Sequence, residues 1–428
     1  MTAEVEAEGR PPWTPAARED TRERVILTPP AYEVARFRAH FPALVDGAAH
    51  FDGPSGSQTP DVVGAAMSQV MTGPLSNRGR MTVAERNADR AVTEGRAALA
   101  DFLNADPRGI IFGRSMTALT FELARTMAKD WRPGDEIVVS RLDHDANVRP
   151  WVIAAETAGV EVRWVGFDVL TGELDPAAVA EQLSGRTRLV AVTGASNLIG
   201  TRPDLPAIAE AVHAAGGWLY VDGVHLAPHA PVDVAELGAD FFACSPYKFL
   251  GPHCGVVAGR PELLEQLRPD KLVPSSDTVP ERFELGTLPY ELMAGTAAAI
   301  DFLADAVPGE GGRRTRLERS MAALEAYEDE LRVEVENALL ELPGVTLHSR
   351  AARRTPTLLV TLSGQEPADL YRRLAERGVN VPAGTFYAYE PARHLGLWPA
   401  GGLRIGLAPY TDRNDIDRLL SALTAIVS

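Results

Sequence analysis

Between Glu136 and Ala243 the chain alternates short apolar runs with helix-like runs, and few folds accept that pattern. Glu136 to Ser140, Val162 to Phe167, Leu189 to Thr193, Trp218 to Val221 and Asp240 to Ala243 read as strands. Val148 to Ala158, Pro176 to Leu183 and Leu205 to Ala215 read as the helices between them. Strands joined by helix-length crossovers run parallel, and the helices cover both faces of the sheet. The expectation is an α/β fold with a mostly parallel central sheet. Upstream, Ile110 to Thr117 reads as a strand ending in Gly and small hydroxyls, followed by a helix from about Ala118 to Asp130. Further helices are expected over Tyr32 to Phe41 and Val83 to Leu103. A long helical stretch from about Arg313 to Leu340 begins a smaller C-terminal α/β layer. Its strands are Leu358 to Leu362 and Gly402 to Ile405, and a helix from Asn414 to Val427 closes it. The expected organisation is a flexible arm over 1–28, an N-terminal segment of the small domain over 29–70, a large domain over 71–300 and a small domain over 301–428.

Open α/β sheets bind ligands beyond the C-terminal ends of their strands. Two strand ends there carry chemistry. The run Trp218-Leu219-Tyr220-Val221-Asp222-Gly223-Val224-His225 puts a carboxylate at a strand end, with a histidine three residues on. The run Ala243-Cys244-Ser245-Pro246-Tyr247-Lys248-Phe249-Leu250-Gly251-Pro252 sets a lysine between an apolar strand and a Gly-Pro turn. Desolvation there lowers an amine's pKa and makes it a nucleophile able to form a Schiff base. An ordinary loop lysine is the alternative reading of that segment alone. Pyridoxal phosphate requires both a lysine for its aldehyde and an acid for its ring nitrogen.

With Asp222 and Lys248 in this order, the sequence resembles the class V aminotransferase family of fold-type I pyridoxal-phosphate enzymes, in its cysteine desulfurase-like branch. The resemblance runs from about Phe51 to the C-terminus. It implies that Lys248 carries the cofactor and that Asp222 keeps the ring nitrogen protonated. His144, in Asp143-His144-Asp145-Ala146-Asn147, matches the position that stacks on the ring. Asn197 would bond near the phenolic oxygen or the substrate carboxylate, and a ring nitrogen of His225 would bond that phenolic oxygen. The helix start at Met116 and Thr117 would meet the phosphate, since free N–H groups and the helix dipole favour an anion there; N-capping by Ser115 or Thr117 is the plain alternative. Ser245 and Tyr247 would add phosphate contacts. Thr287, in a Gly-Thr motif, would reach the phosphate of a partner subunit, which implies a homodimer with shared active sites.

Substrate residues follow from the same resemblance. Gly402-Leu403-Arg404-Ile405-Gly406 places an arginine in an apolar strand, where burial is costly unless the charge is paired. A bidentate guanidinium suits an α-carboxylate, and Arg404 matches the family's carboxylate-binding position. An internal ion pair is the alternative. Ser55 lies in a Gly- and Pro-rich loop that would border the substrate entrance. Arg78 resembles a position that reaches toward the site from a neighbouring chain.

The 42 Lys and Arg against 58 Asp and Glu give a net charge of -16, which disfavours nucleic acid or an anionic membrane as partner. No apolar run is long enough to span a bilayer. Cys244 and Cys254 make no disulfide framework, and a reducing cytoplasm is the expected compartment. No metal site is expected. True desulfurases of this branch carry a nucleophilic cysteine on a mobile loop ahead of the carboxylate-binding arginine. Here that stretch is Val381-Pro382-Ala383-Gly384-Thr385-Phe386-Tyr387-Ala388-Tyr389, without a thiol. Thr385, Tyr387 and Tyr389 would instead shape a pocket for a bulkier substrate. The expected reaction is C–S β-elimination of a cysteine S-conjugate, giving thiol, pyruvate and ammonia, with relatives in lincosamide biosynthesis. Decarboxylative oxidative deamination to an aldehyde, desulfurase or aminotransferase chemistry, and a silent cofactor-binding scaffold are the alternatives.

Overall fold

The structure, a computed structural model, describes residues 32–427. The arm expected over 1–28 lies outside the described residues. Seven strands form the central sheet: β1 (Ile110–Gly113), β2 (Glu136–Ser140), β3 (Glu161–Val165), β4 (Thr187–Thr193), β5 (Trp218–Asp222), β6 (Phe241–Cys244) and β7 (Gly255–Gly259). Their spatial order is β1-β7-β6-β5-β4-β2-β3. β7 runs antiparallel to both its neighbours, and every other pair is parallel. The sheet is mostly parallel, as the alternation predicts.

Strand side chains alternate between two cores. Leu219 and Val221 of β5 join one apolar cluster with Val190 and Val192 of β4. Tyr220, Leu189 and Ala191 join the other, on the opposite face. Period-two alternation with apolar residues on both sides is what a sheet buried on both faces requires. Trp151 and Tyr220 meet edge to face at 4.9 Å, and the Tyr220 hydroxyl is 2.9 Å from Thr120 Oγ1.

Helix α1 (Val83–Leu103) starts on a capping box: Thr82 Oγ1 accepts from Glu85 N, and Glu85 Oε2 accepts from Thr82 N. Such a cap is worth about 0.5–2 kcal/mol. The helix ends at Asn104 in the left-handed region, at φ 50. Helix α2 (Met116–Ala128) is capped by the Ser115 side chain on Ala118 N. It therefore begins two residues before the expected Ala118. Helix α3 (Tyr290–Ala304), largely apolar, lies in the first core with Met293, Ala297 and Ile300 buried.

Helix α4 (Arg313–Leu340) leads into a four-stranded antiparallel sheet: β8 (Val345–Leu347), β9 (Thr357–Leu362), β10 (Ala383–Gly384) and β11 (Gly402–Gly406), in the order β10-β11-β9-β8. This layer has its own core of Leu358, Val360, Leu403 and Ile405 against Leu331, Val335, Ile416 and Leu419. The N-terminal segment joins it. Ala49–His50 pairs in parallel with Val379–Asn380, and Gly406 N donates to Phe51 O at 2.9 Å. Residues 53–57 are thereby carried to the C-terminal ends of β5 and β6.

Candidate active site

Asp222 is the last residue of β5 and is almost fully buried. Gly223 follows because nothing larger fits: a Cβ there would lie 1.9 Å from Phe242 Cζ. The tight turn lets Val224 N donate to Asp222 Oδ1 at 3.0 Å. Burial pushes the Asp222 carboxyl up to about 6, against the Val224 bond and the nearby Lys248 charge. Lys248 sits in the turn after β6, where Pro246–Lys248 forms one turn of 3-10 helix. Burial, then the Arg404 charge, bring its amine down to about 7, with Asp222 pulling the other way. Its Nζ donates to Pro54 O. Such lowering enlarges the share of the neutral amine, the form that can act as a nucleophile.

Arg404, in the middle of β11, is 2% exposed. Its Nη1 donates to Asn197 O at 2.9 Å and its Nη2 to Ser55 Oγ at 2.6 Å. Burial brings its guanidinium down to about 9, while Asp52 holds it up. Neither hydrogen-bond partner is an anion, and among the described residues Asp52 acts on the guanidinium as a nearby charge without forming an ion pair. Asn197 spans the gap to the 381–389 stretch, its Nδ2 donating to Phe386 O at 2.9 Å.

His144 caps the short turn Asp145–Asn147, its Nδ1 accepting from Ala146 N at 3.0 Å. Burial, with Lys248 and Arg404 nearby, holds its pKa down to about 4, so it is neutral. Its ring lies 5.7 Å from that of Tyr387, which is 79% exposed. His225 is buried, with Nε2 2.9 Å from Thr357 Oγ1 and 3.1 Å from Thr355 Oγ1. Burial, His229 and the two nearby cations keep it neutral.

The residues expected near a phosphate are brought together through β7. Gly113 pairs with Gly255 and Cys244 with Val256, so the chain entering α2 and the chain leaving β6 flank one strand. A Cβ on Gly255 would come within 2.1 Å of Ser115 C, which shows how closely β7 backs the start of α2. Met116 is buried there and Thr117 exposed. Ser245 is buried. Tyr247 stacks on His253 at 4.6 Å, and its carbonyl accepts from Ser57 N and Ser57 Oγ. Two expected residues stand apart within this chain. Arg78 pairs with Asp89 and Glu281, and Thr287 is exposed.

Sequence reasoning overlooked three members of the constellation. Asp143 is buried between Ser140 Oγ and Asn147 Nδ2, and burial, with Asp222 nearby, pushes its carboxyl up to about 8. Its place just before His144 was the available signal. Thr355 and Thr357 approach from the other sheet, so no local pattern marks them. Among the described residues no cluster of His, Cys, Asp and Glu is arranged to hold a metal ion, and no helix is long and apolar enough to cross a membrane.

Comparison with known proteins places the chain in a family. Residues 49–419 match the family described as Aminotransferase class-V. An uncharacterized protein of Mycobacterium tuberculosis is 34% identical over 401 residues, covering 92% of this chain and all of that one. The cysteine desulfurase CsdA of Escherichia coli is 32% identical over 408 residues, covering 92% of this chain and 97% of its own. The crystal structure of CsdA superposes with a TM-score of 0.82 at 30% identity, over 92% of this chain and 98% of that chain. The apo cysteine desulfurase of Thermococcus onnurineus, at 23% identity and a TM-score of 0.83 over 92% of this chain and 98% of that chain, shares the fold. With its large and small sheets, and a match spanning nearly its whole length, the chain belongs to the class V aminotransferase family and is a fold-type I, pyridoxal-phosphate-dependent enzyme.

Proposed function

We propose that the chain acts on a cysteine-type amino acid and cleaves the C–S bond of a cysteine S-conjugate by β-elimination, without a persulfide. One observation carries this reading: no thiol is placed to act. The 381–389 stretch has none, and Cys244 and Cys254 are both buried. Burial pushes both thiols up, Cys254 to about 11, so neither is a thiolate at neutral pH. A group leaving the β-carbon then departs by elimination.

The residues fit the cofactor. Ten buried side-chain polar atoms lack a hydrogen-bond partner among the described residues, and Asn197 Oδ1, His225 Nδ1 and Arg404 Nε are three of them. Buried polar atoms are rarely left unpaired, and these have the donors and acceptors that a phenolic oxygen and a carboxylate would satisfy. Lys248 would hold the aldehyde carbon, Asp222 the ring nitrogen and His144 the ring face. Met116, Thr117, Ser245 and Tyr247 would surround the phosphate, with Thr287 from a second subunit. Bound pyridoxal phosphate supplies an electron sink for the substrate's α-carbon. Arg404 and Asn197 orient the carboxylate, Ser55 and Tyr387 border the entrance, and Arg78 would act across a dimer interface. Lys248 Nζ, whose burial favours the neutral amine, takes the proton from the α-carbon.

Residues 71–300 would form the cofactor domain, and 29–70 with 301–428 the smaller one. The pairing of Ala49–His50 with Val379–Asn380 supports that division. A cytoplasmic homodimer is the assembly that fits best. Exposed Met81, Leu272, Val273 and Leu285 supply apolar surface for it.

The test is product analysis by mass spectrometry, with purified protein, pyridoxal phosphate and either free cysteine or S-alkyl and S-glycosyl cysteines. Pyruvate and free thiol from the conjugates are expected. Alanine and sulfide from free cysteine would establish desulfurase chemistry instead. An aldehyde one carbon shorter would mean decarboxylative deamination on the same residues.

A further inference from the structure

We propose that Phe386 is a specificity-determining residue, holding the Arg404 cation in place for a substrate carboxylate without neutralising it. The proposal rests on the reading that Arg404 binds the carboxylate. A buried guanidinium ordinarily comes with a carboxylate, because an unpaired buried charge is costly. Arg404 instead has two neutral acceptors, Asn197 O and Ser55 Oγ, and a buried Nε with no partner. The Asp52 carboxylate acts on this cation only as a nearby charge, without an ion pair, and the Phe386 ring supplies the direct contact. Its centroid is 3.7 Å from Arg404 Cζ. An aromatic face attracts a cation along its normal, whereas a carboxylate meets a guanidinium in its plane, through paired N–H groups. The two interactions therefore do not compete. A resident Asp or Glu would have to be displaced by every substrate molecule; a phenyl face would not.

The backbone beneath this ring is built at a cost. Ala388 N donates to Thr385 O at 2.8 Å, closing a four-residue turn. Both central residues are left-handed, Phe386 at φ 54 and Tyr387 at φ 56. Two positive φ values make a type I′ turn, a geometry that favours Asn and Gly and penalises bulky side chains. Here both positions are aromatic. Two grips from the large sheet's loops hold the turn: Asn197 Nδ2 on Phe386 O at 2.9 Å and Asp145 N on Tyr387 O at 2.8 Å. Strained backbone persists where its surroundings over-determine it, and such places cluster at ligand clamps. The strain sets the Phe386 ring against Arg404 and leaves Tyr387 exposed near His144. The segment that lacks a thiol has become a fixed wall beside the carboxylate site.

The test uses holoenzyme and two probes, S-methyl-L-cysteine and 2-(methylthio)ethylamine, which differ only in the carboxylate. Dissociation constants come from the amplitude of the cofactor's absorbance change in stopped flow, read before turnover. In Phe386→Leu the amino acid should bind on the order of tenfold more weakly, the weight of a desolvated cation–π contact. The amine should stay within about twofold, the scatter of a distant change. Phe386→Tyr, which keeps the ring face, should restore wild-type binding. If the leucine variant does not hold cofactor, Phe386→Met has similar bulk and carries the same expectation. Equal weakening of both probes, or of neither, would overturn the proposal by making Phe386 mere packing. Arg404→Gln separates that failure from a deeper one. It should erase the preference for the carboxylate probe, and if the preference survives, the carboxylate reading of Arg404 falls as well.

Discussion

Asp222→Asn should make the cofactor-free protein more stable. The amide keeps the shape of the side chain and can still accept from Val224 N, but it removes a charge from an almost fully buried site. Burial lifts the carboxyl from 3.8 to about 6 in the folded protein. At about 1.36 kcal/mol per pH unit, that rise is worth about 3 kcal/mol. The sign follows from which state prefers the proton. Above pH 6 the group is ionised in both states, and the folded protein bears the whole penalty. Between 6 and 3.8 the folded state takes up a proton and the penalty shrinks. Below 3.8 both states are protonated and it vanishes. The attraction to Lys248 is already within that net rise and needs no separate subtraction. The assay is urea unfolding of the apo protein at pH 7.5 and pH 4.5. The variant's midpoint should exceed the wild type's clearly at pH 7.5 and only slightly at pH 4.5. Saturating pyridoxal phosphate should then reverse the order, because its protonated ring nitrogen pairs with the carboxylate but not with the amide. An apo variant less stable than wild type at pH 7.5, or one equally stabilised at both pH values, would refute the reasoning.

Three further outcomes are expected. Covalent attachment of cofactor to apo protein, followed by absorbance, should speed up about tenfold per pH unit below pH 7 and level off by about pH 8.5, because only the neutral Lys248 amine reacts; a rate still climbing beyond pH 9 would return that amine to its ordinary range. Replacing both cysteines, Cys244→Ala with Cys254→Ala, should leave turnover within about threefold while costing about 1–2 kcal/mol of stability from lost packing, and a hundredfold loss of turnover would put a thiol into the chemistry. Arg96→Met should cost about 3–5 kcal/mol in denaturant unfolding, because Glu284, paired with Arg96 at 2.9 and 2.7 Å and accepting from Phe112 N, would be left as a stranded buried charge.

Strands β2 to β6 lie within two residues of where the sequence places them at either end. Each is a buried run set off by polar turns, so its pattern is local. β7 went unnoticed, since Gly255-Val256-Val257-Ala258-Gly259 is short, ends in glycines and follows a turn. It is also the strand that breaks the parallel order, which no crossover pattern announces. Helices Asp61–Thr72 and α3 were not anticipated either. α3 is apolar nearly all round, so it lacks the amphipathic stripe that marks a surface helix. In the site, Asp222, Lys248 and Arg404 stand out because a charged residue in an apolar strand context is costly, and cost is visible locally. The Phe386 contact is not. It depends on a left-handed turn without glycine and on an arginine that β10 and β11 bring back beside it. The threonines that hold His225 depend likewise on the second sheet docking against the first.

The short segment 53–57 has a practical consequence for anyone shortening this chain. Pro54 accepts from the Lys248 amine, Ser55 from Arg404, and Ser57 donates to the Tyr247 carbonyl. Its path is fixed just upstream, where Ala49–His50 adds an edge to Val379–Asn380. A version trimmed beyond Ala49 would lose the edge that guides this segment, and with it one side of the reaction chamber, together with Phe37 and Phe41 from the first core. Truncations, N-terminal fusions and circular permutations should therefore be placed before that edge strand and judged by ligand binding.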